Sequence, residues 1–238
     1  MRWWLSLKSH REEILRRFYL PTPTQYAARD LIFPDDLLLI LSLDCSNRLE
    51  LSLCRWGVPT FCGTSYQQQL QFGLRQLEQQ SLNQLTTPRV KPCIVLADSW
   101  IATRVYQQQT VFYSCTLENQ PLIGLLATQH SSVDGEVGIQ LLSTAARGAV
   151  TRVQESMPVL PPSSLWGAWL MGSLALNTAS IDSSIPEREL DAFLISNPLS
   201  ERHKMQPHPV IAPTPTRLRA VRGQKPYPDS SQRIALVG

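Results

Sequence analysis

The stretch LLLILSLDCSNRLELSL, residues 37–53, carries the clearest structural signal in the chain. Its first seven residues form the most apolar run of the sequence, which has the length of a strand. Leu49, Leu51 and Leu53 then alternate with polar neighbours at the period of two that a half-buried strand shows. The residues between the two runs, DCSN at 44–47, are typical of a turn. The stretch therefore predicts a β-hairpin.

Other patterns predict the elements around this hairpin. Four further strands are predicted, each bounded by turn residues, at residues 92–97, 110–116, 122–128 and 137–143. Apolar residues at helical spacing predict helices over residues 5–19, 67–85 and 163–176; the last of these would bury Trp166, Trp169 and Leu170. Prolines are frequent from residue 196 onward and predict an extended C-terminal segment. The class predicted is α+β with a β-dominated core.

Composition narrows the class of protein. The chain has 238 residues, of which 43% are hydrophobic and 17% charged, within the range of a globular domain. No run is long and apolar enough for a membrane span, and residues 1–8, MRWWLSLK, are too short in their apolar part for a secretory signal. We therefore expect a soluble, cytoplasmic monomer that does not contact membranes. A net charge of +3 permits contact with nucleic acid without demanding it.

Cysteine and histidine give no sign of a metal or cofactor site. The five cysteines form no CxxC pair, and none of the four histidines pairs with an acid or a cysteine at ligand spacing. The expectation is reduced, mostly buried thiols, with no metal ion and no cofactor.

Residues 93–100, 120–125 and 142–159, taken in order, resemble landmarks of the SOS response-associated peptidase (SRAP) family. Residues 93–100, CIVLADSW, are similar to the family's C-L-I-P-A-D-G-F/W, which leads into its catalytic acid. Residues 120–125, QPLIGL, are similar to the strand after the hairpin turn. Residues 142–159, LSTAARGAVTRVQESMPV, resemble T-T-x-A-N-x-x-V-x-x-I-H-D-R-M-P-V, and a tryptophan-containing segment at 166–170 follows. Weaker similarities stand at residues 55–57 and 217–221.

The resemblance implies one SRAP-like domain over residues 1–238 with a barrel-like core. Residues 1–29 would be a divergent N-terminal segment, and residues 196–238 a proline-rich segment with a last strand. In the family, the residue after the initiator methionine is a cysteine. Its α-amine, with a pKa near ~8, can form a Schiff base with the aldehyde of an abasic site in single-stranded DNA, and its thiol closes the ring. A glutamate and a histidine transfer protons, and an asparagine holds the N-terminal residue.

This chain departs from the family at the positions that carry the chemistry. Arg2 stands at the cysteine position, and its long side chain is expected to block removal of Met1. Ala102 stands at the position of the acid and Gln154 at that of the histidine, and neither can transfer a proton usefully. The asparagine position is assigned to Asn83. Three of the four roles are vacant, so the resemblance predicts a degenerate, non-catalytic copy.

A nucleic-acid surface is a further expectation. The side chains that could contact single-stranded DNA are those of Arg55, Trp56, Trp100, Arg104, Arg147 and Arg152. The two tryptophans could stack on bases or be core aromatics, and the arginines could bind phosphates or be solvated charges at strand ends. Trp3 and Trp4 are expected to fill the slot that an active relative leaves open for DNA.

Three hypotheses of function follow. The first is a non-catalytic member that holds single-stranded DNA or a protein partner and is related to abasic-site sensing in the DNA damage response. The second is an active peptidase or DNA–protein cross-linking enzyme with relocated residues. The third is an interaction module that does not bind DNA.

Overall fold

The fold is dominated by strands. The computed structural model describes residues 3–62, 65–69, 71–73, 90–131, 135–173 and 185–199. The strands are β1 Trp4–Leu7, β2 Arg29–Ile32, β3 Leu37–Leu43, β4 Leu49–Trp56, β5 Val58–Cys62, β6 Ser65–Gln69, β7 Gln71–Gly73, β8 Val90–Ala97, β9 Ser99–Tyr106, β10 Gln109–Leu117, β11 Ile123–Ser131, β12 Val137–Ala145, β13 Ser156–Pro158 and β14 Leu190–Ile195. The α-helices are α1 Arg11–Phe18 and α2 Trp166–Leu170.

Two large sheets form the body of the protein. One has the strand order β11-β8-β3-β4-β12-β13, with β7 beside β12, and a further pairing of β11 with β12 closes five of its strands into a ring. Its pairs are antiparallel except those that β12 makes with β4 and β7. The other sheet, in the order β14-β10-β9-β1-β2, is antiparallel and open. The expected barrel is thus found in part.

The predicted hairpin is confirmed as β3 and β4. Leu37 pairs with Arg55 at one end of the ladder and Leu43 with Leu49 at the other. Asp44 organises the turn, because its Oδ1 accepts hydrogen bonds from the backbone N–H groups of Ser46 and Arg48. The strands predicted at 92–97, 110–116, 122–128 and 137–143 correspond to β8, β10, β11 and β12, with β11 beginning one residue later than predicted.

The core lies on both faces of the ring's central strands. The four residues 38–41 of β3 and the five residues 93–97 of β8 are all buried, which explains why these runs are continuously apolar and do not alternate. Helix α2 packs against β8, and the Nε1 of Trp169 donates a hydrogen bond to the carbonyl oxygen of Cys93 at 2.9 Å. Gly124 permits this packing, since a Cβ there would stand 2.2 Å from the ring of Trp166.

The predicted helices were only partly right. The first begins at Arg11, because Leu5 and Leu7 belong to β1, and it ends before Pro21 with Tyr19 in the left-handed conformation. Residues 67–69 and 71–73 form strands β6 and β7, so the helix predicted over 67–85 is wrong there, and its remainder lies outside the described residues. The third is the short α2, which buries the three predicted side chains and is followed by Gly172 at φ 66°.

Several strands were not predicted, namely β1, β2, β5, β6, β7, β9, β13 and β14. The strand expected at 217–221 lies outside the described residues, as do Arg2 and Asn83. Within the part of the chain that is described, no helix has the length and apolarity that a membrane crossing requires.

Candidate functional site

Strand β1 brings the N-terminal segment into the middle of the open sheet. It pairs antiparallel with β9, with Trp4 opposite Ile101 and Leu5 opposite Trp100. The same register places Trp3 beside Ala102, on the sheet face that also carries Leu5 and Trp100. Trp3 is 1% exposed and Ala102 is fully buried. The position expected for the family's acid therefore lies against the N-terminal strand, and a tryptophan adjoins it.

Trp3 also contacts the position expected for the family's histidine. Its indole Nε1 donates a hydrogen bond to Oε1 of Gln154 at 3.1 Å. Gln154 follows a short 3₁₀ turn, Gly148–Arg152, and its backbone N–H donates to the carbonyl of Val150. Its Nε2 atom is buried and has no hydrogen-bond partner in the described structure. Trp3 thus adjoins both Ala102 and Gln154, and none of the three side chains titrates near neutral pH.

Asp98 fastens the N-terminal segment to the turn between β8 and β9. Its carboxylate accepts the backbone N–H groups of Lys8 and Ser9 and the hydroxyl of Ser9. Its own N–H donates to the carbonyl of Ser6 at 2.7 Å. The Ser9 carbonyl in turn accepts the Tyr26 hydroxyl at 2.6 Å. Burial, and then the charge of Asp98, raises the pKa of Tyr26 to about 12. The start of the chain is therefore held in one place.

Three of the four predicted arginines surround the 3₁₀ turn. Nη1 of Arg104 donates to the carbonyl oxygen of Arg152 at 2.6 Å, and Nη1 of Arg147 donates to that of Ile185 at 3.3 Å. A guanidinium bonded to a neutral carbonyl keeps its charge and its other donors. We call Arg104, Arg147 and Arg152 the arginine surface.

Arg55 lies apart from the arginine surface. It pairs with Gly138 near the start of β12, whereas Arg147 follows the end of that strand. At about 3.3 Å per residue, the length of β12 separates the two by roughly 20 Å. Arg55 also faces the carboxylate of Asp35, with 3.9 Å between Nη1 and Oδ1. It does not extend the arginine surface.

The two tryptophans predicted to contact DNA, Trp56 and Trp100, cannot stack on bases. Trp56 is 1% exposed and Trp100 fully buried, so neither ring presents a face, and both are core aromatics. Trp4 points to the sheet face opposite Trp3 and therefore lies away from Ala102. There its ring lies 5.4 Å from that of Phe33 and 5.5 Å from that of Phe112. Only Trp3 occupies the position beside Ala102.

Three of the described free cysteines are buried or half-buried, whereas Cys45 is exposed in the turn after β3. Burial raises the pKa of Cys54 to about 11, that of Cys115 to about 12 and that of Cys93 well above its ordinary value, so these thiols are protonated at neutral pH. Burial also lowers the pKa of His130, whose Nε2 lies 2.8 Å from the Thr128 hydroxyl. Among the described residues, no group of His, Cys, Asp and Glu could hold a metal ion.

Sequence reasoning missed two contacts that define this region. The hydrogen bond between Trp3 and Gln154 joins residues 151 positions apart, and the bond between Ser9 and Asp98 joins residues 89 apart. Patterns of neighbouring residues do not predict pairs so far apart in the chain. The one feature that pointed to this region was Asp98, which lies in the segment CIVLADSW that resembles the family.

Comparison with known proteins supports the fold. A protein from Bordetella bronchiseptica superposes with a TM-score of 0.62 at 18% identity, over 83% of this chain and all of its own. A protein from Bacteroides thetaiotaomicron has a TM-score of 0.62 at 14% identity, over 85% of this chain and 94% of its own. A phage-related protein from Bordetella bronchiseptica has the same TM-score at 14% identity, over 82% and 94%. At these identities the likeness shows a shared fold alone. No family model and no curated protein matches the sequence.

Proposed function

We propose that this protein is a non-catalytic, SRAP-like protein, related to abasic-site sensing in DNA damage responses, which binds single-stranded DNA without covalent capture. The observation that carries the proposal is the hydrogen bond between Trp3 and Gln154 beside the buried Ala102. It joins Gln154, where the resemblance expects a histidine, to a tryptophan beside Ala102, where the resemblance expects an acid.

The side chains at that place argue against cross-linking chemistry. A Schiff base needs an accessible amine, and the proton transfers that follow need groups whose pKa lies near neutral pH. The side chain of Ala102 has no polar atom, the amide of Gln154 does not titrate, and the indole of Trp3 is buried with its Nε1 bonded to Gln154. The described cysteines with raised pKa values do not replace a reactive thiol.

The arginine surface supports binding of a phosphate backbone. Arg104 and Arg152 are exposed and adjacent, and Arg104 is fixed by its bond to the Arg152 carbonyl. A fixed guanidinium loses less conformational freedom when it binds a phosphate oxygen. Such contacts position a nucleic acid without reading its sequence.

The first test separates covalent capture from reversible binding. The protein is incubated with a single strand that contains one abasic site, and the products are resolved after heating in SDS. We expect no adduct, and an adduct that survives this treatment would show that the protein is an active cross-linking enzyme. Reversible binding is measured by fluorescence anisotropy over a series of salt concentrations.

A matched pair of variants tests the arginine surface. Replacing Arg147→Glu and Arg152→Glu should weaken binding and reduce the salt dependence, by about 0.7 in the log–log slope for each phosphate that the variant no longer neutralises. The control replaces Arg48→Glu and Arg55→Glu, which makes the same change in charge on β4 and at its turn. Equal effects of both pairs, or no salt-dependent binding by the wild type, would favour an interaction module that does not bind DNA.

Rebuilding the site tests whether side chains alone account for the missing chemistry. The triple variant is Arg2→Cys, Ala102→Glu and Gln154→His, and the five-site variant adds Trp3→Gly and Trp4→Arg. We expect the triple variant to stay inactive, because the Trp3 ring still occupies the space beside residue 102. The five-site variant should form some adduct, and since such residues act together, single changes should achieve little. A folded five-site variant that binds DNA and forms no adduct would refute the assignment of these positions.

A further inference from the structure

The tip of the hairpin formed by β9 and β10 carries an exposed aromatic ring close to the arginine surface. Proteins that hold single strands without reading their sequence combine cations along the phosphate backbone with aromatic rings on which bases stack. Trp56 and Trp100 cannot supply such a ring, because both are buried. Tyr106, at the end of β9, is 58% exposed and lies two residues after Arg104.

Strand β9 places Tyr106 and Arg104 on one face of the open sheet. Residues two apart in a strand point to the same face and lie about 7 Å from each other. The pairing of β9 with β10 continues without a shift from Trp100 to Tyr106, so this alternation holds along the whole strand. Trp100 and Ala102, on the same face, are buried in the core, whereas Arg104 and Tyr106 are exposed. The guanidinium and the phenol ring therefore stand side by side beyond the edge of the core.

The backbone that carries both side chains is fixed. Tyr106 pairs with Gln109, and the two residues between them, Gln107 and Gln108, have φ of 47° and 64°. Positive φ at both central residues is typical of the two-residue turn that matches the twist of a hairpin. Nη1 of Arg104 is held by its 2.6 Å hydrogen bond to the Arg152 carbonyl oxygen. Groups presented in this way lose less conformational freedom when a ligand binds.

Charge alone gives the arginine surface little affinity for an anion. Glu155 is exposed and lies three residues after Arg152. The 3₁₀ turn Glu187–Glu189 carries two glutamates and one arginine, and it packs against the turn that ends at Arg152, since a Cβ on Gly148 would stand 2.5 Å from the Glu187 carbonyl oxygen. These carboxylates reduce the positive potential around the arginines. A contribution that does not depend on charge is therefore required for firm binding.

We propose that Tyr106 stacks on an unpaired base while Arg104 binds a neighbouring phosphate, so that the two residues together select single-stranded over double-stranded DNA. This inference rests on the proposed function and names the chemical groups that the site recognises. The spacing of the two side chains suits one nucleotide, whose base and phosphate lie on either side of its sugar. A single strand offers the face of any base, whereas a duplex keeps its bases stacked inside. The contact with the phosphate carries no sequence information.

The test compares strands with and without bases. The ligands are a thymidine oligonucleotide, a duplex of the same length, and a strand of tetrahydrofuran spacers that has the same phosphates but neither bases nor aldehydes. The variants are Tyr106→Ala and Tyr106→Phe, and the matched control is Phe193→Ala. Phe193 is 56% exposed and lies on the opposite face of the same sheet. Binding is measured by fluorescence anisotropy over a series of salt concentrations, and urea unfolding verifies that each variant folds.

The expected result is a loss that depends on the bases. Tyr106→Ala should bind the thymidine strand about 5- to 100-fold more weakly, which is the loss of one base stack. Its binding to the spacer strand and to the duplex should be unchanged. The log–log salt slope should also stay the same, because a stacking contact releases no counterions. Tyr106→Phe and Phe193→Ala should bind like the wild type, since the first keeps the ring and the second lies away from the site.

Several results would overturn the inference and leave the proposed function standing. These are an unchanged affinity of Tyr106→Ala for the thymidine strand, an equal loss for the strands with and without bases, and an equal loss in Phe193→Ala. Equal binding of the thymidine and spacer strands by the wild type would overturn it without any variant. Wild-type protein that binds none of the strands would refute the proposed function itself, and the inference with it.

Discussion

The pair formed by Trp3 and Gln154 provides a direct test of the structure around the candidate site. Trp3→Phe keeps an aromatic ring but removes the Nε1 donor, and Oε1 of Gln154 loses its 3.1 Å partner. A buried polar atom left without a partner costs about 1–3 kcal/mol of unfolding free energy. Because Nε2 of Gln154 is already unpaired, this variant leaves a whole buried amide unsatisfied. We expect Trp3→Phe to lie in the upper part of that range.

The reverse change should be milder. Gln154→Met leaves the indole N–H unpaired, but it also removes the unpaired Nε2, and methionine is close to glutamine in size. In the double variant, neither polar group is present. Its loss of stability should therefore be smaller than the sum of the two single losses, by about 1–3 kcal/mol.

The assay is equilibrium unfolding in urea, followed by circular dichroism because the variants differ in tryptophan content. The control combines Gln154→Met with Trp169→Phe. In the wild type, Nε1 of Trp169 donates to the Cys93 carbonyl and not to Gln154. The effects of that pair should add to within about 0.5 kcal/mol. Additive effects of Trp3→Phe and Gln154→Met would refute the hydrogen bond between these two side chains.

Two other predictions concern packing and pH. Gly124→Ala should destabilise the protein by about 1–3 kcal/mol, because the new methyl group meets the Trp166 ring at 2.2 Å. Gly167→Ala has open space around its Cβ and should be neutral or stabilising by up to about 1 kcal/mol. Equal unfolding midpoints for the two variants would contradict the packing of α2. The raised pKa of Tyr26 predicts a contribution to stability that is complete below pH 10 and is lost as the pH rises towards 12, since the fold favours the protonated phenol. Tyr26→Phe should therefore lose less stability than the wild type over that interval in urea unfolding, and parallel curves would show that the phenol is not buried as described.

The hairpin shows how much of this fold the sequence determines locally. Residues 37–53 hold their apolar pattern and their turn within seventeen consecutive positions, so alternation and turn chemistry are enough to predict β3 and β4. The strands β8, β10, β11 and β12 were predicted for the same reason. The residues at positions 2, 102 and 154 could likewise be compared with the SRAP pattern from the sequence alone, because such a comparison uses only residue types.

Tertiary structure decided the placement of the N-terminal segment, because that placement depends on pairing between distant strands. Trp4–Leu7 is too short to be distinguished by periodicity from the start of a helix, and it becomes a strand because β9, almost a hundred residues later, supplies its backbone partners. That pairing selects the face on which Trp3 is buried against Ala102 and Gln154, and it sends Trp4 to the opposite face. The pairing of β4 with β12 likewise separates Arg55 from the other arginines, since their distance depends on the length and direction of β12. Residue types determine which polar groups residues 102 and 154 can offer, whereas strand register determines which side chain is buried beside them, because register depends on hydrogen bonds between segments that are distant in the chain.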